Sequence, residues 1–258
     1  MAIGSDDGVK AWRRVGRAAG YVAAAALLAG TVLFLLDALN ALGAGPDFRD
    51  TGKPLQDEAN FWVAVFAHQH HILCDILLRD TLFPLAFVAL IVLVLSVRAL
   101  APSVRPEGQL LISFFLVGGT ISALSDLIYL AGTDFWRDTG WTPVPAERMV
   151  AVGRDTQALN SLTRWPEAAG FVVLAAGLVC LGLLCRQHAS LPSAVAIPVF
   201  LEALLLVGVA ITGAAETDTA YNIFSLLTGA LVGPLVAGWM GWELGRGIAP
   251  VAGDTRPA

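Results

Sequence analysis

The sequence predicts an all-α polytopic membrane helix bundle, with six transmembrane helices and two outer surface helices. Three observations carry that prediction. The chain of 258 residues is 56% hydrophobic and only 14% charged, whereas a soluble domain carries about 25% charged residues. Its mean hydropathy is +0.69. Apolar runs of about 20 residues, long enough to cross a bilayer core, recur along it. Inside hydrocarbon every backbone N–H and C=O must be paired within its own segment, and the runs lack the alternation of barrel strands, so they read as helices.

The spans are placed at 18–39, 82–99, 109–131, 166–186, 193–215 and 220–245. Span one is rich in alanine, and Ala19, Ala23, Ala26 and Gly30 share one face. Lys10, Arg13, Arg14 and Arg17 precede it as they would a signal peptide, but the run from Ala18 to Leu39 exceeds a signal core, which favours an uncleaved span. A long loop then leads to a helix over 57–80. On it, Asn60, His68, His71, Asp75 and Arg79 form a polar stripe, and Phe61, Val65, Ile72 and Ile76 form an apolar face. That helix is expected to run on into span two, with a bend at Pro84. A second surface helix is expected over 145–164, starting near Pro145, with Pro166 opening span four.

Span six carries Gly229, Gly233, Ala237, Gly241 and Gly245, a small residue at every fourth position. Such a ridge lets a neighbouring helix approach closely. Span one is its expected neighbour, and the same ridge is a candidate surface for a homo-oligomer or a membrane-protein partner. Pro234 is expected to kink this span.

The polar segments between spans repeat. Asp37 is followed by Ala44-Gly45-Pro46-Asp47-Phe48-Arg49-Asp50-Thr51-Gly52, and Asp126 by Ala131-Gly132-Thr133-Asp134-Phe135-Trp136-Arg137-Asp138-Thr139-Gly140. This reads as one helix–loop–helix–helix unit used twice, over 1–99 and 109–186. A closing hairpin over 193–245 and a disordered tail over 246–258 complete a single membrane domain. The two Asp-Thr-Gly tripeptides follow membrane helices rather than apolar strands, so they read as turns, not as the paired carboxylates of an aspartic protease.

Orientation follows the short loops, which carry the basic residues: Arg98 and Arg105, Arg186, and Arg246 with Arg256. Basic loops stay cytoplasmic, so both termini are expected inside the cell membrane and the long acidic segments outside. Trp62, Trp136, Trp141 and Trp165 are expected at the outer headgroup level, and Trp12, Trp239 and Trp242 at the inner one. The net charge of −5 argues against nucleic acid as a partner and leaves the lipid bilayer as the environment. Cys74, Cys180 and Cys185 are expected as free thiols packed as small hydrophobes.

Asp37, Asp126 and Glu202 lie inside apolar spans. An ionisable group there costs about 2.5–3.5 kcal/mol on insertion scales and is normally turned to the bundle interior or a wet cavity. They therefore outline an outward-facing polar cleft floored by Glu202, and with His68, His71 and Asp75 they make the candidate ligand-binding set. His68, His71 and Asp75 share a helix face and are also candidate zinc ligands, with a further ligand needed from Asp134, Asp138 or Glu147. No phosphate loop, His-Glu-x-x-His or Gly-x-Ser-x-Gly pattern occurs, and the last span holds no lysine for a retinal. The leading expectation is thus a non-enzymatic binding or scaffold protein for a lipid, small ligand or partner. A small secondary transporter using Glu202 and Asp126, and a metal-dependent enzyme centred on the histidines, are the alternatives. The Arg-rich start at 13–17, the Ala-rich first span, the helix at 58–80 and the small-residue last span together resemble the uncharacterised six-helix integral membrane proteins of actinobacteria.

Overall fold

The structure, a computed structural model, describes residues 6–39, 41, 55–100, 106–139, 144–187, 191, 193–215 and 218–246. The first Asp-Thr-Gly tripeptide, Arg105, Trp141 and the tail beyond Arg246 lie outside the described residues, as do the side chains of Asp134, Trp136 and Asp138. Among the described residues eight α-helices follow in order: α1 (Asp6–Ala38), α2 (Leu55–His71), α3 (Leu73–Leu100), α4 (Pro106–Thr139), α5 (Ala146–Gln187), α6 (Ala196–Ala214), α7 (Asp218–Leu226) and α8 (Gly233–Arg246). A six-residue π-helical turn, Leu227–Val232, joins α7 to α8. Among the described residues there is no strand.

Six of these helical stretches are long and apolar enough to cross a membrane: α1, α3, α4, α5, α6 and the α7–α8 stretch. The chain is a multi-pass membrane protein. Large apolar side chains point away from the bundle, among them Ile197 at 76% exposed and Leu204 at 68%. In water such a surface would be a liability; against lipid tails it costs nothing.

The spans form a closed ring. Helix α1 packs on α3, α3 on α4, α4 on α5, α5 on α6, and α6 on α7, while α8 returns to α1. Two seams of this ring depend on glycine. Where α1 meets α8, a Cβ added at Gly20 would lie 2.6 Å from the Ala237 carbonyl oxygen and 2.7 Å from the Gly241 Cα. Where α4 meets α5, one added at Gly118 would lie 2.8 Å from the Leu174 nitrogen and 2.9 Å from the Gly170 carbonyl oxygen. The obstacles are backbone atoms, which cannot swing aside, so only hydrogen fits at either position.

The expected pairing of spans one and six is therefore present. It also corrects the reading of the ridge as an intermolecular surface. Gly229 faces Thr31, Ala237 is wholly buried, and Gly241 and Gly245 face Arg17 and Gly20. Helix α1 of the same chain occupies the ridge.

Several element boundaries differ from expectation, among them α4, which stays helical to Thr139 where span three was expected to end at 131 and the second Asp-Thr to form a turn. The expected single helix is interrupted at Ile72, between α2 and α3, and Pro84 lies inside α3. Helix α5 runs unbroken for 42 residues, so the second surface helix and span four are one element, with Pro166 inside it. At 1.5 Å per residue it is about 63 Å long, roughly twice the hydrocarbon thickness. The irregularity of span six is the π turn before Pro234: the Gly233 N–H bonds to the Thr228 carbonyl, one residue further back than an α-helix allows. Trp62 is also misplaced by the interfacial reading. It is 0% exposed and stacks on Phe66 over the bare backbone of Gly153.

A small second core lies where α2 docks on the protruding half of α5, built from Ala59, Trp62, Val65, Phe66, Met149 and Val150. A paired hydrogen bond clasps its edge: Arg154 Nε and Nη2 each donate to a Glu58 carboxylate oxygen at 3.0 Å. That guanidinium holds the Glu58 carboxyl below its ordinary value of 4.5. Cys180 and Cys185 are buried free thiols; Cys74 is free but exposed.

Candidate functional site

A ring of six helices leaves space at its centre, and here that space is divided by chemistry. The half nearer α2 is a polar cavity of about 440 Å³. Helix α1 contributes Asp37, and α3 contributes Arg79 and Asp80. Helix α4 adds Ser125, Asp126 and Tyr129, and α5 adds Asn160, Thr163, Arg164 and Glu167. Thr212 of α6 and Tyr221 of α7 complete the wall. Every span thus places a polar side chain on one void.

The mouth is built from ion pairs. Arg79 Nη1 donates to Asp37 Oδ2 at 3.3 Å, and its Nε donates to Asp80 Oδ1 at 2.8 Å. His68, on α2, brings Nε2 to 3.7 Å from Asp37 Oδ1. The Asp37 side chain is 31% exposed and that of Asp80 only 8%, so the charges run from the rim inwards. A single guanidinium spans two carboxylates from different helices, which ties α1 to α3 at the rim.

Below lies a smaller apolar chamber of about 130 Å³. Phe34, Phe83, Phe171, Tyr221, Asp126 and Glu167 line both spaces, so the two adjoin. Phe34 and Tyr221 meet edge to face, with centroids 6.0 Å apart. Leucines and phenylalanines cover most of the lower wall, and Glu202 of α6 interrupts it. Glu202 is 6% exposed, and its Oε2 has no hydrogen-bond partner among the described residues. The π turn lies beside it: a Cβ on Gly233 would meet the Thr228 carbonyl at 2.5 Å and Glu202 Oε1 at 3.0 Å. The extra residue in that turn leaves the backbone of Gly233 against the carboxyl.

Of the residues singled out from sequence, Asp37 and Asp126 line the polar cavity, and Glu202 lines the apolar one. His68 stands at the mouth beside Asp37. His71 is exposed at the end of α2, and Asp75 is half-buried on the first turn of α3. Neither lines the cavities. The break at Ile72 separates His68 and His71 from Asp75, and among the described residues no three His, Cys, Asp or Glu side chains come together to hold a metal ion. The one-helix face assumed for a zinc site is thus interrupted.

Arg79 was legible as part of a polar stripe, but Asp80, Tyr129, Arg164, Glu167 and Tyr221 were not read as site residues. Each sits close to the end of an apolar run, where charged and phenolic side chains ordinarily reach the headgroups. Only the ring closure turns them inward. Comparison with protein-family models, curated proteins and solved structures finds no match to this chain.

Proposed function

We propose that this chain, a protein of the cell membrane with both termini in the cytoplasm, binds a small amphiphilic ligand in a cavity open to the outside. One observation carries the reading: all six spans converge on a void that is polar towards α2 and apolar beyond Phe34 and Phe83. A molecule with a polar head and an apolar body matches that gradient. Six acidic or basic side chains, Asp37, Arg79, Asp80, Asp126, Arg164 and Glu167, line the polar half. Each costs free energy to place within membrane helices, so a bundle that needed only to fold would be more stable with apolar residues there.

The test is access. In a background with Cys74, Cys180 and Cys185 replaced by alanine, Asn160→Cys and Thr212→Cys should react in intact cells with a small membrane-impermeant cationic thiol reagent. Leu204→Cys, exposed but turned to lipid, should not. If both cavity positions stay unreactive in folded protein, the cavity is closed to the outside and the proposal fails.

A second reading, a small secondary transporter using Glu202 and Asp126, is favoured by the π turn beside Glu202. Such turns mark places where a helix shifts register. Solute flux into liposomes that is unchanged in Glu202→Gln removes it.

A further inference from the structure

We propose that the apolar chamber seats the protonated amine of a small aromatic or aliphatic monoamine, with Glu202 as its counter-ion; this rests on the cavity reading above and names its ligand class. Four features of the chamber converge on that chemistry.

The first is charge. Among the described residues no lysine, arginine or histidine lines the chamber, whereas Asp126, Glu167 and Glu202 all do. The arginines of the upper cavity do not line it. An unpaired carboxyl in hydrocarbon holds a proton rather than stand charged, and an entering ammonium pairs with the carboxylate as that proton leaves to solvent.

The second is the acceptor set. Glu202 Oε2 and Thr228 Oγ1 are buried with no hydrogen-bond partner among the described residues, and the Ser225 hydroxyl lies beside that of Tyr221. Glu202, Ser225 and Thr228 line the chamber. A primary ammonium carries three N–H donors. A hydroxyl keeps its own proton and offers lone pairs, and a carboxylate accepts only, so Glu202 and Thr228 are acceptors of the kind an –NH₃⁺ group needs.

The third is the wall. Phe34, Phe83, Phe87, Phe115, Phe171 and Tyr221 enclose the chamber. Aromatic faces attract a cation and also bury an apolar body. The fourth is size. The chamber is about 130 Å³, close to the engineered cavity of about 150 Å³ that admits benzene. One ring or a short branched chain fits there, and a longer substituent would extend into the polar cavity past Asp126 and Glu167.

The experiment uses the full chain purified into nanodiscs at neutral pH, with benzylamine, benzyl alcohol and sodium chloride as probes in calorimetric titration. Benzylamine should bind saturably, and benzyl alcohol, of nearly the same shape but uncharged, at least tenfold more weakly. Glu202→Gln should weaken benzylamine at least tenfold while leaving benzyl alcohol unchanged. Thr228→Val, which keeps the side-chain shape, should weaken it three- to tenfold. Leu204→Ala, on the lipid-facing surface and lining neither cavity, should leave it within twofold. Equal binding of amine and alcohol overturns the assignment, as does undiminished amine binding in Glu202→Gln, or sodium alone displacing the amine at millimolar concentration. Absence of benzylamine binding to folded protein overturns it too. The cysteine reactivity described above decides the wider reading separately: an accessible cavity without amine preference sinks only the ligand class.

Discussion

At the scale of single residues, the clearest pH-sensitive contact is the clasp between Glu58 and Arg154. The pairing stabilises the charged carboxylate, so Glu58 titrates below 4.5 when α2 is docked. Its contribution is fully present above that ordinary value and is lost as the pH falls through the lowered one. Hydrogen exchange of α2 amides should therefore accelerate as the solution is acidified below pH 4.5, relative to the amides of α6. In Glu58→Gln that acid-dependent step should disappear. A step of the same size in the variant would assign it to another group. Reading the sequence found Asp37, Asp126 and Glu202 because a charge inside an apolar run stands out. It did not find the clasp, because a glutamate and an arginine 96 positions apart in the sequence carry no mark of their pairing.

At the scale of elements, helix existence was legible and helix continuity was not. Span lengths follow from the thickness of the bilayer, which is why all six were placed. Whether Pro166 starts a helix or sits within one depends on what covers the carbonyl it leaves unpaired, and that is a tertiary matter. The π turn is similarly invisible beforehand, since the contacts around it, Gly229 on Thr31 and Gly233 on Glu202, join residues far apart in sequence. The docking of α2 on α5 gives the sharpest test at this scale. A Cβ on Gly153 would fall inside the indole of Trp62, which is itself fully buried. Gly153→Ala should destabilise the α2–α5 contact by about 1–3 kcal/mol, the usual cost of overpacking. Gly238→Ala is the control: its Cβ meets only Ala24 Cβ at 3.7 Å, and helix propensity there favours alanine by about 1 kcal/mol. Thermal unfolding in detergent, followed by Trp fluorescence, should separate the two in sign.

At the scale of the whole molecule, the ring explains why a chain with so few charges keeps so many of them near its centre. Six spans packed in sequence order close only when the hairpin of α6 with α7–α8 bridges α5 and α1, and closure is what makes a cavity of the polar positions. The placement of the α2 face outside the cell rests on the basic short loops. Cys74 tests it directly, because it is exposed on the first turn of α3, whereas Cys180 and Cys185 are buried. A membrane-impermeant maleimide applied to intact cells should label the wild-type protein, and Cys74→Ala should abolish the signal. Labelling of Cys74 only after the cells are opened would reverse the orientation.

The unbroken α5 has a mechanical meaning. It is pinned to α4 where Gly118 and Gly170 touch, so tilting it is rotation about that crossing. At 1.5 Å per residue, Arg154 lies about 24 Å from the pivot and Glu167 about 4.5 Å. The arms stand in a ratio of about five to one. A rigid tilt of α5 about that crossing would therefore move Glu167 about one fifth as far as Arg154.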